Sequence, residues 1–150
     1  MTLFWLTHIA FLLCGLLAGT FLGSTMVEHA ARVLTGPQWI AYKQAKEVTF
    51  GAVMPGFLAV TMLALVAASV VAASPAATWA FGVAVALLAV ALAITVVVHL
   101  PINRFIQSAD PAAVAAEWDE QRRRWRQWNL ARCALAVLAF ACIALVGTLA

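Results

Sequence analysis

Four long apolar stretches, almost free of charged side chains, constrain this sequence more than any other feature. They occupy residues 3–27, 50–73, 77–100 and 130–149. A helix needs about 20 apolar residues to cross a bilayer, and an open sheet would leave backbone groups unpaired in lipid. Only 10% of the residues are charged, whereas an average soluble domain has about 25%. The sequence therefore predicts an all-α fold, a single membrane domain built as a four-transmembrane-helix bundle, and excludes a soluble globular enzyme.

The charged residues lie in only two of the three connections between these spans. All nine Lys and Arg and all six Asp and Glu fall within residues 28–49 and 101–129, apart from Arg132 just inside the last span. The connection Ser74-Pro75-Ala76 carries no charge. Basic connections stay on the cytoplasmic side of a membrane. We therefore expect a multi-pass protein of a bacterial-type inner membrane, with both termini outside the cytoplasm.

The last connection has the pattern of a helix that precedes the fourth span. Asp110-Pro111 is a suitable helix start, and no helix-breaking residue follows up to Gln127. Asp119 and Arg123 are spaced as an i,i+4 ion pair with the acid first, which supports a helix. The sequence predicts a cytoplasmic helical extension over residues 111–128, continuous with the last span.

Three glycines at intervals of four residues lie on the first span. Gly15, Gly19 and Gly23 leave room for a second helix backbone to approach closely in lipid. Packing within the bundle and a homodimer contact both fit this pattern, and the sequence leaves the two alternatives open.

A run of arginines and tryptophans over residues 121–128 resembles a nucleic-acid-binding segment in composition. It adjoins a membrane span, where arginines contact anionic headgroups and tryptophans lie at the interface. The expected partners are therefore membrane lipid and no nucleic acid.

Polar side chains that are costly in lipid gather at the charged ends of three spans. Such groups face the interior of a bundle or reach towards the interface, and they are functional candidates by default. We predict that they form a polar pocket on the cytoplasmic side, with an interfacial anchoring layer as the alternative. The set is Glu28, His29, His99, Asn103, Asn129 and Arg132. Arg132 is expected to point into the bundle and to bond Glu28, Asn103 or a bound ligand.

Two histidines fall on the same side of the membrane in this topology. His29 and His99 could together ligate haem iron, which gives an alternative function as a haem-binding electron carrier. The sequence has no histidine, cysteine or carboxylate spacing typical of a metal site, so no metal is predicted apart from haem. A non-catalytic scaffold or lipid-sensing bundle is the other alternative.

One family resemblance covers nearly the whole chain and is most specific near its end. The segment His99-Leu100-Pro101-Ile102-Asn103-Arg104, then Asp110-Pro111, Trp118, the arginine run, Trp125 and Asn129-Leu130-Ala131-Arg132 carry it. Glu28-His29-Ala30-Ala31-Arg32 and Met54-Pro55 add to it. The sequence resembles the anthrone-oxygenase-like (DUF1772) family of small four-span membrane proteins. It differs in having Asn129 where many members have His.

The resemblance implies an oxidoreductase that uses dioxygen on a small apolar or aromatic ligand. A few members oxidise anthrones to anthraquinones, a reaction that needs a base, donors for an enolate oxygen and an apolar slot. By this resemblance His29 is the expected base, with Glu28 as the next candidate. Asn103, Asn129 and Arg132 are expected to bind the oxyanion, and Trp125 and Trp128 to flank the rings.

Overall fold

The computed structural model describes residues 2–113 and 117–149, and within them the fold is entirely helical. The long helices are α1 (Thr2–Ala30), α2 (Gly36–Val71), α3 (Pro75–Ile94) and α5 (Trp118–Leu149). A π-helical turn (Thr95–His99) joins α3 to the short helix α4 (Leu100–Ser108), and a 3₁₀ turn (Ala31–Val33) follows α1. The all-α prediction is confirmed.

Four helical segments of the described residues are long and apolar enough to cross a membrane, as expected for a multi-pass membrane protein. They are Phe4–Val33, Gly36–Val71, Pro75–Ser108 and Trp118–Leu145. Large apolar side chains cover the outer surface of the bundle: Leu63 is 70% exposed and Val70 is 81% exposed. A surface of this kind needs lipid around it.

The long helices form a four-sided bundle in which α1 and α3 each pack mainly against α2 and α5. Small residues let the helices approach one another in the core. Ala84, Leu88, Ala136 and Ala139 are at most 1% exposed there. A second apolar cluster at the charged end joins the first turns of α2 to α4 and α5. It consists of Trp39, Ile40, Val98, Ile102, Ile106 and Trp125.

The charged connections are more helical than the sequence indicates. Residues 28–49 were expected to be a connection, but α2 already begins at Gly36, where the backbone N–H of Thr35 donates to Gln38 Oε1. The side chain of Gln44 donates to the carbonyls of Ile106 and Ala109, which ties this part of α2 to the end of α4. The predicted connection is therefore an extension of the bundle at its charged end.

The helical extension before the last span begins later than the sequence predicts. Residues 111–113 form a turn, and α5 begins at Trp118 rather than at Pro111; the predicted residues 114–116 lie outside the described residues. The Asp110 carboxylate accepts from the backbone N–H of Ala112, which closes that turn. From Trp118 onwards the helix continues unbroken into the last span, as predicted.

The three glycines of α1 do not share one environment. A side chain at Gly15 would come within 2.9 Å of the Phe140 ring, so this glycine makes room for α5 inside the bundle. A side chain at Gly19 or Gly23 would contact nothing within 4 Å. The homodimer through Gly15, Gly19 and Gly23 stays a prediction.

Candidate functional site

A cavity of about 360 Å³ lies between the four long helices in the charged half of the bundle. We call it the central cavity. Its apolar wall includes Phe21, Phe50, Met54, Leu58, Met62 and Trp125. Its polar lining consists of Ser24, Lys43, Lys46, Glu47, Thr95, His99, Asn103 and Arg132. An apolar cavity with a few polar groups at one end is the usual form of a small-molecule site.

Local irregularities in two helices accompany the cavity. Pro55 lies inside α2, where its missing N–H removes one backbone hydrogen bond. Across the cavity the helix widens into the π-helical turn, in which the Leu100 N–H reaches the carbonyl of Thr95. Pro101 follows directly and cannot donate to the preceding turn. Pro55, Thr95 and His99 all line the cavity, so both irregular segments shape its wall.

A buried ion cluster closes the charged end of the central cavity. Glu28 is 2% exposed, and its Oε1 atom accepts from Lys43 Nζ at 3.1 Å and Lys46 Nζ at 2.8 Å. The Tyr42 hydroxyl donates to the same oxygen at 3.2 Å. Lys43 Nζ also lies 3.1 Å from the ring centroid of Trp125, a cation–π contact. The predicted base Glu28 therefore holds two lysines, and these lysines, rather than Glu28, line the cavity.

Asn103 joins a cavity carboxylate to the tryptophan wall. Its Nδ2 donates to Glu47 Oε1 at 3.1 Å, and its Oδ1 accepts from Trp125 Nε1 at 3.0 Å. The indole can only donate and the carboxylate, when ionised, can only accept, which fixes the orientation of the amide. Glu47 is thus held against the cavity while it remains half-buried.

Arg132 points into the bundle, as expected, but its partners differ from those predicted. It donates to Thr95 Oγ1 at 2.9 Å and to Asn129 Oδ1 at 2.8 Å, instead of to Glu28 or Asn103. Both predicted partners are engaged elsewhere. Among the described residues no carboxylate lies within 4.0 Å of Arg132, and its buried Nε atom has no hydrogen-bond partner.

The other predicted site residues lie around the cavity or outside it. His99 is 1% exposed, lines the cavity, and has its Nε2 atom 3.3 Å from the carbonyl oxygen of Trp125. Asn129 is buried behind Arg132 and donates to Thr25 Oγ1. Trp128 is 41% exposed and does not line the cavity.

His29 lies in a second, smaller cavity of about 140 Å³. This cavity is lined by Thr25, Glu28, His29, Arg32, Arg126, Asn129 and Leu130. The His29 side chain is exposed, whereas His99 is buried against Trp125 in the central cavity. The two histidines therefore do not face a common space, and this pair does not fit as axial ligands of one haem. No group of three His, Cys, Asp or Glu within the described residues is arranged to hold a metal ion.

Three charged residues of the central cavity were not identified from the sequence as site residues. Lys43, Lys46 and Glu47 were assigned to the first connection, where charged residues are usually solvated. Their i, i+3, i+4 spacing places them on one face of a helix. A helical reading of residues 36–49 would have directed that face into the bundle.

Comparison with family models matches the anthrone oxygenase family over residues 41–142, which is more than half of the chain. The matched segment contains every cavity residue of α2, of the π-helical turn, of α4 and of α5. Comparison with curated proteins and with solved structures gives no match. On the family match, with its four membrane-spanning-capable helices, the chain belongs to the anthrone oxygenase family.

Proposed function

We propose that the central cavity binds a small aromatic ketone of the anthrone type and that the protein oxidises it with dioxygen to a quinone. The observation that carries this proposal is one cavity with apolar walls, one half-buried carboxylate, Glu47, and three cations, Lys43, Lys46 and Arg132. Membership of the anthrone oxygenase family supports it. We further propose a bacterial-type inner membrane location, with the charged end in the cytoplasm.

The reaction asks little of the protein beyond acid–base chemistry. A base removes a proton from the ring CH₂, and the electron pair moves to the carbonyl oxygen as an enolate. Dioxygen then bonds to the CH carbon and accepts its electrons, and the product takes up a proton as a hydroperoxide. Loss of water leaves the second carbonyl. Overall, CH₂ and O₂ become C=O and H₂O, and dioxygen is the only oxidant.

Glu47 is the base in this proposal. Its carboxylate lines the cavity, one oxygen is held by Asn103, and the group is only half-buried. A carboxylate can remove a proton next to a carbonyl group when the enolate oxygen is well stabilised. In this assignment Asn103 is a positioning residue.

Lys43 and Arg132 stabilise the developing enolate oxygen. Fixed cations in an apolar cavity act most strongly on charge that forms during the reaction. Asn129 positions Arg132 through the 2.8 Å bond, and Glu28 keeps Lys43 in place. Trp125 flanks the ring system, as the resemblance implies. His29 and Trp128 have no contact with the substrate in this proposal.

The test compares carboxylate-to-amide variants in proteoliposomes. Quinone absorbance and dioxygen uptake are recorded with 1,8-dihydroxyanthrone, and the rate with empty vesicles is subtracted. Glu47→Gln should lower the rate at least about 100-fold, the usual effect of removing a general base. The exposed Glu120→Gln is the matched control and should stay within about twofold.

The same assay separates the alternatives. His29→Gln should leave the rate nearly unchanged, because His29 lies in the second cavity. If His29→Gln abolished quinone formation and Glu47→Gln did not, the assignment of Glu47 would be wrong. Wild-type protein with no rate above empty vesicles would contradict the proposed oxidation and favour a non-catalytic bundle.

Orientation can be measured separately on a background without the native cysteines. A cysteine placed at the exposed position 120 should react with an impermeant maleimide only after the membrane is opened. Labelling in intact cells from outside would reverse the proposed topology.

A further inference from the structure

The central cavity opens to one side of the bundle, between α2 and α3. Its exposed lining residues are all apolar: Phe50, Gly51, Pro55 and Ala59 on α2, and Leu92, Val96 and Leu100 opposite them. None of its polar lining residues is exposed, and Lys43 and His99 are 3% and 1% exposed. The cavity is therefore closed by polar groups at the charged end and open along an apolar edge.

The inner part of this opening lies at the height of the hydrocarbon region of a bilayer. Pro55 precedes the end of α2 at Val71 by 16 residues, and Leu92 follows the start of α3 at Pro75 by 17. At 1.5 Å per residue these positions lie about 24 and 26 Å from the uncharged end of the bundle, within a hydrocarbon core about 30 Å thick. Acyl chains, rather than water, border the opening at Pro55 and Leu92.

Charge in the cavity indicates which end of a ligand points inwards. Lys43, Lys46 and Arg132 line it together with one carboxylate, Glu47. Glu28 neutralises one further charge from behind the lysines, which leaves one cation in excess. Arg132 is the cation without a carboxylate within 4.0 Å, and its Nε atom is unbonded among the described residues.

We infer that the ligand enters laterally from the bilayer, between α2 and α3, with an ionisable oxygen directed towards Arg132 and Lys43. The substrate class is then bilayer-dissolved, weakly acidic amphiphiles, and not solutes taken up from water. The inference rests on the proposed function only in treating the bound molecule as a substrate, since entry and binding need no turnover.

The route is tested by narrowing the opening with single phenylalanines. Ala59→Phe and Val96→Phe place a ring at the opening, whereas Val60→Phe and Val97→Phe place one on the neighbouring lipid-facing surface, outside the cavity lining. Binding of anthraquinone-2-carboxylate, which this reaction cannot oxidise, is followed in proteoliposomes by stopped-flow quenching of tryptophan fluorescence. Association should slow at least tenfold in the first pair and stay within twofold in the second.

The charge preference is tested with a second comparison. Arg132→Gln should weaken binding of anthraquinone-2-carboxylate at least tenfold and binding of neutral anthraquinone less than twofold, in protein whose helical circular dichroism is unchanged. Equal association rates in all four phenylalanine variants would overturn the lateral route. Equal losses for the charged and neutral probes would overturn the role of Arg132.

These outcomes are independent of the oxidation assay. A protein that binds the probe through the side opening but oxidises no anthrone retains the inferred route and loses the proposed function. A protein that oxidises anthrone equally well with the opening narrowed, and binds the probe at an unchanged rate, retains the function and loses the route.

Discussion

Replacing Glu28 by glutamine should destabilise the bundle more than any exposed charge change of the same kind. The Oε1 atom of Glu28 accepts from Lys43, Lys46 and Tyr42, and the side chains of Glu28 and Lys43 are only 2% and 4% exposed. Glutamine keeps the shape of the side chain and removes its charge. Two ammonium groups then share a site without a buried counter-ion.

The size of the effect follows from the burial of the pair. Removing one partner of a buried ion pair costs about 3–5 kcal/mol, because the remaining charge is left uncompensated. Lys46 is 12% exposed and can recover some solvation, so the expected loss in free energy of unfolding is about 3 kcal/mol. Asp119→Asn is the matched control: its side chain is 43% exposed, and breaking its ion pairs should cost less than about 1 kcal/mol.

Equilibrium unfolding in mixed detergent micelles, followed by circular dichroism, measures both variants. The double variant Glu28→Gln/Lys43→Met should recover part of the loss, because it removes the more deeply buried cation. If Glu28→Gln unfolded at the same denaturant fraction as Asp119→Asn, the argument from a buried and uncompensated charge would be wrong.

Two further variants test the geometry around Asn103 and Glu47. Gly51→Ala would put a methyl group 2.9 Å from Glu47 Oε1, so the rate of anthrone oxidation should fall at least fivefold while the free energy of unfolding changes little. Gly19→Ala is the control: its methyl group would meet nothing within 4 Å, so the oxidation rate and the free energy of unfolding should both stay nearly unchanged. Trp125→Phe removes the donor to Asn103 Oδ1 and should lower the free energy of unfolding by about 1 kcal/mol or more. Trp128→Phe, at an exposed position, is the control for Trp125→Phe in the same unfolding measurement.

The membrane-spanning part of the fold could be predicted because length and hydropathy determine it directly. The start of α3 is likewise evident from the short connection Ser74-Pro75-Ala76, because serine is a common helix cap. In the structure Ser74 Oγ accepts from the Ala77 N–H. The helix boundaries at the charged end could not be predicted in this way. There, α2 gains its first turns by burying Trp39 and Ile40 against α4 and α5, a tertiary contact that local sequence does not reveal.

The site could be predicted only as a group of residues at one end of the bundle. Asn103 and Arg132 were identified as polar groups too costly to leave in lipid, and both line the central cavity. The partners of Asn103 and Glu28 could not be predicted, because Lys43, Lys46 and Glu47 had been assigned to a loop. Without those lysines Glu28 lacked a partner, and Arg132 was expected to fill that role.

Two prolines, Pro55 and Pro101, lie where the helices are irregular beside the central cavity. Pro55 lies within α2, and Pro101 follows the π-helical turn across the cavity. Each lacks the N–H that would complete the preceding turn, and a helix can absorb this loss by local widening or bending. In lipid the freed carbonyls still need partners, so such irregularity is tolerated where it borders a cavity or another helix. Met54-Pro55 and Pro101-Ile102-Asn103 both belong to the family resemblance. Met54, Pro55 and Asn103 line the cavity itself, which gives that resemblance a physical reason.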